Sequence, residues 1–277
     1  MDSALTPVVV APATTHSHTV VFLHGRGDNA ASFAASLRHS TDSRRRTLEA
    51  AFPSFRWVFP RARMIECAAF GRQKMSQWFD IWSTNDFSEQ ELLQAEGLRD
   101  SVARILATLR EEAALLGGRW DRIVMAGISQ GAATATHTLL NLALPGPDPR
   151  LGAYVGFSCR LPFPGRSLAD TRAVLRLGDG VPTDNEVLRN TPVLLEHCVD
   201  DPLVLVANGR VLRDTLAGFG ANVSWKEYQQ GGHWFNSPAG MDHVVEFLTR
   251  VLGLSNPGPA SQAYAQNLPD SDSMDLS

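Results

Sequence analysis

The residues best suited to chemistry lie in the stretch Gly127-Ile128-Ser129-Gln130-Gly131. Four apolar residues, Ile123 to Ala126, precede it and a run of small residues follows, so the sequence predicts a strand, a sharp turn and a helix. Glycine on both sides of the serine fits such a turn, because a Cβ atom there would clash. The turn would expose the Ser129 hydroxyl as a nucleophile and leave the Gln130 N–H at a helix N-terminus, where it can stabilise negative charge. The alternative interpretation is a serine that only caps the helix.

A serine hydroxyl is an effective nucleophile at neutral pH only when an imidazole takes its proton and a carboxylate orients that imidazole. In proteins with this serine turn, the three groups follow in the order serine, acid, histidine. His233 is the favoured base, because it lies in a glycine-rich turn after a predicted strand, whereas His243 falls inside the last helix and is expected at the surface. Asp201 is the favoured acid, because Pro-Leu-Val follows it as in a loop that leads into a helix. Its neighbour Asp200 would then be a solvated residue or a helix cap.

Composition argues against several other classes of protein. The chain has 277 residues, 44% of them hydrophobic, and a net charge of −4, so no basic field is available for nucleic acid. The three cysteines, Cys67, Cys159 and Cys198, are widely spaced and predict neither a disulfide framework nor a zinc site. No segment reaches the roughly 18 apolar residues that a membrane helix needs, and the N-terminus lacks the features of a signal peptide. We therefore expect a cytoplasmic protein without stable membrane insertion.

Strands and helices alternate along the chain. The predicted strands lie at 7–12, 19–23, 56–60, 123–126, 152–157, 191–196 and 222–228, and the predicted helices at about 30–39, 88–116, 132–143, 204–216 and 240–252. The long second helix is expected to begin with a capping box, Ser88-Glu-Gln-Glu91. This alternation predicts an α/β fold, with a mostly parallel central sheet flanked by helices on both faces.

Three segments give weaker signals. Residues 61–77 lack helical or strand periodicity and predict a long loop, which either lines an acyl pocket or only connects two elements. Residues 161–190 are rich in glycine, proline and charge and are assigned no element. Residues 255–277 contain little that could be buried, so they predict a disordered C-terminal tail after a single domain over 1–254.

Several motifs in order resemble the acyl-protein thioesterase family, the phospholipase/carboxylesterase group of α/β-hydrolases. They are His24-Gly-x-Gly-Asp28, Trp78-Phe-Asp-Ile81, Gly127-x-Ser-Gln-Gly131, Ser158-Cys-Arg-Leu-Pro162, Asp201-Pro-Leu-Val204 and Gly232-His233. The resemblance runs from about Pro7 to Leu252 and implies the α/β-hydrolase fold. It also implies a triad of Ser129, Asp201 and His233, and an oxyanion hole formed by the backbone N–H groups of Arg26 and Gln130. The residues expected to bind substrate are Trp78, Phe79, Leu161, Leu203 and Trp234.

We therefore predict a serine hydrolase that cleaves acyl thioesters or carboxylic esters through an acyl-serine intermediate. Its substrate would be a small ester or thioester or an acylated protein, it would need neither metal nor organic cofactor, and it would be a monomer or homodimer. The alternatives are a small-molecule carboxylesterase, or a lyase, cyclase or isomerase of specialised metabolism on the same fold. A non-catalytic binding protein usually lacks a triad residue, and none is missing from this sequence.

Overall fold

The computed structural model describes residues 5–178 and 180–255, and a seven-stranded sheet is its centre. The strands of the chain are β1 (Val8–Val10), β2 (His18–Leu23), β3 (Phe55–Phe59), β4 (Arg63–Cys67), β5 (Gln73–Gln77), β6 (Ile123–Ile128), β7 (Ala153–Phe157), β8 (Val193–Cys198) and β9 (Val223–Tyr228). The order in the main sheet is β1-β3-β2-β6-β7-β8-β9. Only β1 pairs antiparallel in it, and the other neighbours are parallel.

Helices cover both faces of this sheet. They are α1 (Ala30–Leu37), α2 (Leu48–Ala51), α3 (Gln94–Leu115), α4 (Gln130–Leu140), α5 (Leu168–Ala173), α6 (Glu186–Asn190), α7 (Val206–Gly218) and α8 (Ala239–Val251). One core packs under α3, α4 and α7, and the other under α1, α2 and α8. Neighbours in β2 alternate between them, because Val21 and Leu23 belong to the first core and Val20 and Phe22 to the second. The predicted mostly parallel sheet with helices on both faces is confirmed.

The prediction of a long loop over 61–77 is wrong, because β4 and β5 form a separate two-stranded antiparallel sheet there. The connection between the two strands begins with a 3₁₀ turn over Ala68–Phe70, and its last two residues, Gly71 and Arg72, have positive φ angles of 62° and 63°. Most residues of the two strands are exposed or half-buried. A hairpin without a buried face leaves no alternating pattern of apolar residues in the sequence, which is why the pattern failed to show it.

The predicted start of the long helix over 88–116, which corresponds to α3, is also wrong. The Ser88 hydroxyl donates to the Asp86 carboxylate at 2.6 Å instead of capping a helix. A 3₁₀ turn over Glu91–Leu93 follows, and α3 begins at Gln94. The segment 161–190, left without an element, contains the short helices α5 and α6, which are too short for a periodic pattern.

The described residues leave two predictions open. The predicted tail over 255–277 lies outside them except for Ser255, and the single domain over 1–254 stays a prediction. No helix within the described ranges is long and apolar enough to cross a membrane.

Candidate active site

Ser129 is the single residue that connects a strand to a helix. It follows β6 and precedes α4, with backbone angles of φ 56° and ψ −125°. A non-glycine residue rarely adopts a positive φ, and such strain is characteristic of functional turns. The Ser129 N–H donates to the Phe157 carbonyl at 2.9 Å, which fixes the turn to the end of β7.

The two glycines of the motif are required by close backbone contacts. A Cβ atom on Gly127 would lie 2.6 Å from the backbone nitrogen of Ala132. A Cβ atom on Gly131 would overlap the carbonyl oxygens of Leu23 and His24 in the neighbouring strand. Larger residues would therefore push α4 away from β6 and β2 and displace the serine turn.

Asp201 and His233 lie in contact after the ends of β8 and β9. Oδ2 of the aspartate is 2.8 Å from Nδ1 of the histidine. Oδ1 accepts hydrogen bonds from the N–H groups of Leu203 and Val204, both at 2.9 Å. Asp201 is only 2% exposed, and the hydrogen bonds on both of its carboxylate oxygens fix its orientation.

His197 is a further neighbour of this carboxylate. Its Nε2 is 2.7 Å from the carbonyl oxygen of Val204 and 3.3 Å from Oδ2 of Asp201. Burial alone would raise the pKa of Asp201, but the hydrogen bonds from His197 and His233 outweigh burial and hold that pKa well below its usual range. Asp201 therefore keeps the negative charge that an adjacent imidazolium needs.

Asp200 has a role that the sequence did not reveal. Its exposed side chain accepts hydrogen bonds from the N–H groups of Gly232 at 2.8 Å and Gly231 at 3.3 Å. It caps no helix. Instead, it anchors the loop that carries His233.

A cavity of about 390 Å³ joins the serine and the histidine. Ser129, Gln130 and His233 all line it, together with Arg26 from the turn after β2. These residues follow β6, β9 and β2, whose carboxyl ends meet at one edge of the sheet, the usual place for a ligand in such folds.

The residues predicted to bind substrate do not all lie in this cavity. Phe79, Leu203 and Trp234 line it, whereas Leu161 lines an adjoining cavity of about 410 Å³. Trp78 lines neither, because its side chain is only 1% exposed and its Nε1 donates to the His24 carbonyl at 2.8 Å. Its role is to support the turn after β2, and its prediction as a substrate contact is corrected.

The two predicted oxyanion donors are fixed by different contacts. Gln130 is the first residue of α4, so its N–H has no acceptor within that helix. Its side chain accepts from the Trp78 N–H at 2.9 Å and donates to the Phe79 carbonyl at 2.7 Å. The turn of Arg26 is tied to β5 by a hydrogen bond of 2.7 Å from the Gly27 N–H to the Ser76 carbonyl. The hairpin missed from the sequence thus holds one side of the site.

Sequence reasoning also missed Arg160 as a member of this cavity. It treated the residue only as part of a motif, although a charge between Cys159 and Leu161 in an otherwise apolar segment was a usable signal. Within residues 5–178 and 180–255, no group of three or more His, Cys, Asp or Glu side chains could hold a metal ion.

Known proteins resemble this chain along most of its length. The Phospholipase/Carboxylesterase family matches residues 5–252. Acyl-protein thioesterase 1 of Gibberella zeae is 28% identical over 254 residues, which cover 91% of this chain and 98% of that protein. The enzyme of that name from Schizosaccharomyces pombe is 28% identical over 74% of this chain and 77% of its own. The crystal structure of Zea mays acyl-protein thioesterase 2 superposes with a TM-score of 0.67 at 29% identity, covering 89% of this chain and 99% of that one.

Proposed function

The chain belongs to the phospholipase/carboxylesterase family of α/β-hydrolases, and from this premise we propose that it hydrolyses acyl thioesters or carboxylic esters through an acyl-serine intermediate. The observation that carries the proposal is that Ser129 and His233 line the same cavity. Nδ1 of His233 is hydrogen-bonded to Asp201, which is buried and ionised. This combination supplies a nucleophile, a base and a group that stabilises the protonated base.

In the first step, the Ser129 hydroxyl attacks the carbonyl carbon while Nε2 of His233 takes its proton. Nε2 is the reacting nitrogen because Nδ1 is bonded to Asp201. The negative charge on the substrate oxygen is stabilised by the N–H groups of Gln130 and Arg26, each worth about 3 kcal/mol of the barrier. The protonated His233 then gives its proton to the departing thiol or alcohol.

In the second step, water attacks the acyl-serine ester while His233 removes a proton from that water. Collapse of the second tetrahedral intermediate releases the carboxylic acid and returns the proton to Ser129. Neither step requires a metal or an organic cofactor.

The apolar residues in the wall of the cavity favour an acyl chain as the part of the substrate that binds there. Phe79, Leu203 and Trp234 present apolar surface beside Ser129. The relatives named acyl-protein thioesterase favour an acylated protein or a small acyl ester or thioester as the substrate.

The proposal is tested by the hydrolysis of p-nitrophenyl esters and acyl-CoA thioesters of increasing chain length. We expect wild-type turnover of at least one series, and for Ser129→Ala a fall in kcat of more than about 10⁴-fold. Ser88→Ala, which removes a hydroxyl from the adjoining cavity, is the matched control and should retain activity. Full activity of a folded Ser129→Ala protein, or no turnover of either series by the wild type, would overturn the proposal.

A further inference from the structure

Arg160 is a buried cation at the boundary of two cavities. It lies in the segment after β7 and is only 8% exposed. Arg160 lines the cavity that contains Ser129 and His233, here called the catalytic cavity, and it also lines the adjoining cavity. A molecule that extends from Ser129 towards the adjoining cavity would therefore pass this guanidinium.

The partners of Arg160 within the described ranges are neutral. Its Nη2 donates to Oε1 of Gln94 at 2.6 Å, and its guanidinium lies 4.0 Å from the ring centre of Phe87 and 6.0 Å from that of Phe79. Among residues 5–178 and 180–255, no carboxylate lies within 4.0 Å of it. Buried charges are normally paired, because removing them from water is costly.

The carboxylates that line the two cavities are engaged elsewhere. Asp28 accepts from the Asn29 N–H at 2.7 Å. Asp86 accepts from the Ser88 hydroxyl, and Glu91 lies 3.6 Å from Arg166. None of these three carboxylates forms an ion pair with Arg160 within 4.0 Å, although the charge of Glu91 favours the protonated guanidinium.

A second arginine adds positive charge to the same space. Arg26 lines the catalytic cavity, half-buried, with Nη1 3.7 Å from Sγ of Cys67 and its guanidinium 5.0 Å from the ring centre of Phe70. Burial lowers the pKa of Arg160 to about 10, although the charge of Glu91 raises it and Arg26 contributes less, so Arg160 remains protonated at neutral pH. Cys159 stays a neutral thiol beside it, because burial raises the pKa of that thiol to about 12.

We infer that Arg160 binds an anionic group of the substrate, a carboxylate or a phosphate, in the same cavity as the bond to be cleaved. The inference rests on the proposed hydrolase function and makes Arg160 a specificity-determining residue for it. The planar guanidinium can donate two parallel hydrogen bonds to such a group, with Gln94 and the ring of Phe87 holding its plane. Arg26 favours the same ligand by its charge.

The test compares substrates that differ only by a charge. Mono-p-nitrophenyl glutarate is measured against p-nitrophenyl pentanoate, which places the anion on the acyl chain. S-butanoyl thioglycolate is measured against the S-butanoyl ester of 2-mercaptoethanol, which places it on the leaving group. We expect the wild type to prefer the charged member of at least one pair by about 10- to 100-fold in kcat/KM. The pair that responds identifies the side of the substrate that carries the anion.

Three variants separate charge from packing. Arg160→Gln should abolish the preference by slowing only the charged substrate, with the neutral one unchanged within about threefold. Gln94→Glu places a carboxylate against the retained guanidinium, so it should abolish the preference as well, even if Arg160→Gln fails to fold. Arg110→Gln removes an exposed cation of α3 that lines neither cavity and should keep the preference.

Two results would overturn the inference: no charge preference by an active wild type, or an equal loss on charged and neutral substrates in Arg160→Gln. A wild type that turns over none of the four esters would instead count against the proposed function. In that case, calorimetric titration with pentanoate and with its neutral analogue pentanamide decides the inference separately, which requires tighter binding of pentanoate and the loss of this difference in Arg160→Gln.

Discussion

Two buried carboxylates near the end of β8 have opposite electrostatic surroundings. Asp201, just beyond the strand, and Glu196, inside it, are 2% and 3% exposed. Asp201 contacts two imidazoles and accepts from two backbone N–H groups, and its pKa lies well below the usual range. Among the residues that the structure describes, Glu196 accepts only from the Tyr228 hydroxyl at 3.0 Å, and its buried Oε2 has no partner. Burial therefore raises the pKa of Glu196 to about 8.

The difference shows that burial raises the pKa of a carboxyl group in this region unless several hydrogen-bond donors outweigh it, as they do at Asp201. Asp201, which must be an anion in the proposed mechanism, has several hydrogen-bond donors around it. Glu196 is instead a neutral acid in contact with the Tyr228 hydroxyl, and this hydroxyl lies 2.7 Å from Nδ1 of His243. The prediction of His243 as a surface residue is thereby corrected, because its ring is half-buried.

The largest effect expected in this region is that of Asp201→Asn. The amide cannot stabilise a positive imidazole and favours the wrong tautomer of His233, so kcat should fall by about 10³- to 10⁴-fold. Ester hydrolysis at neutral pH measures it. Glu196→Gln makes the same change at the other buried carboxylate and should leave kcat within about threefold. A similar loss in both variants would mean that the two carboxylates do not differ as described.

A smaller effect is expected for Asp200→Ala. The loss of its carboxylate frees the N–H groups of Gly231 and Gly232, so the loop that carries His233 becomes less fixed. We expect kcat to fall by about tenfold, as for the loss of roughly 1.4 kcal/mol. Asp200→Asn keeps an acceptor oxygen and should recover most of the rate. Wild-type kcat in Asp200→Ala would exclude a positioning role.

A third effect concerns stability rather than activity. Because the pKa of Glu196 is about 8 in the folded state and 4.5 ordinarily, the folded protein binds a proton that the unfolded chain releases between these values. This contribution to stability is complete below about pH 4.5 and is lost as the pH rises through about 8, with a slope of at most about 1.4 kcal/mol per pH unit.

Urea unfolding of the wild type and of Glu196→Gln at several pH values between 5 and 8.5 isolates this contribution. The neighbours Lys226 and His243 are the same in both proteins. We expect the advantage of the wild type over the variant to shrink as the pH rises. A difference that is independent of pH would contradict a neutral Glu196.

The two carboxylates also differ in how far the sequence predicts them. Asp201 could be proposed from local signals: the order after Ser129, the end of a predicted strand and the Pro-Leu-Val that follows. Glu196 gave no signal, because its partner Tyr228 belongs to β9 and His243, which contacts Tyr228, belongs to α8, and the three residues come together only in the folded chain.

The same distinction holds elsewhere in the site. The serine turn was predictable, since the Gly-x-Ser-x-Gly pattern after an apolar strand is a local signal, although Gly131 is also required by the distant carbonyl groups of Leu23 and His24. The opposite wall depends on the β4–β5 hairpin, which buries no face, and on Arg160, whose neighbour Gln94 comes from the start of α3. Contacts between distant segments leave no periodic pattern to read.

The central claim, an activated Ser129, is tested most directly by labelling the folded protein with a fluorophosphonate and mapping the adduct by peptide mass spectrometry. The account predicts one adduct, on Ser129, absent from Ser129→Ala and formed much more slowly in Asp201→Asn. An unlabelled but folded wild type, or an adduct on another residue such as Ser158, would contradict it.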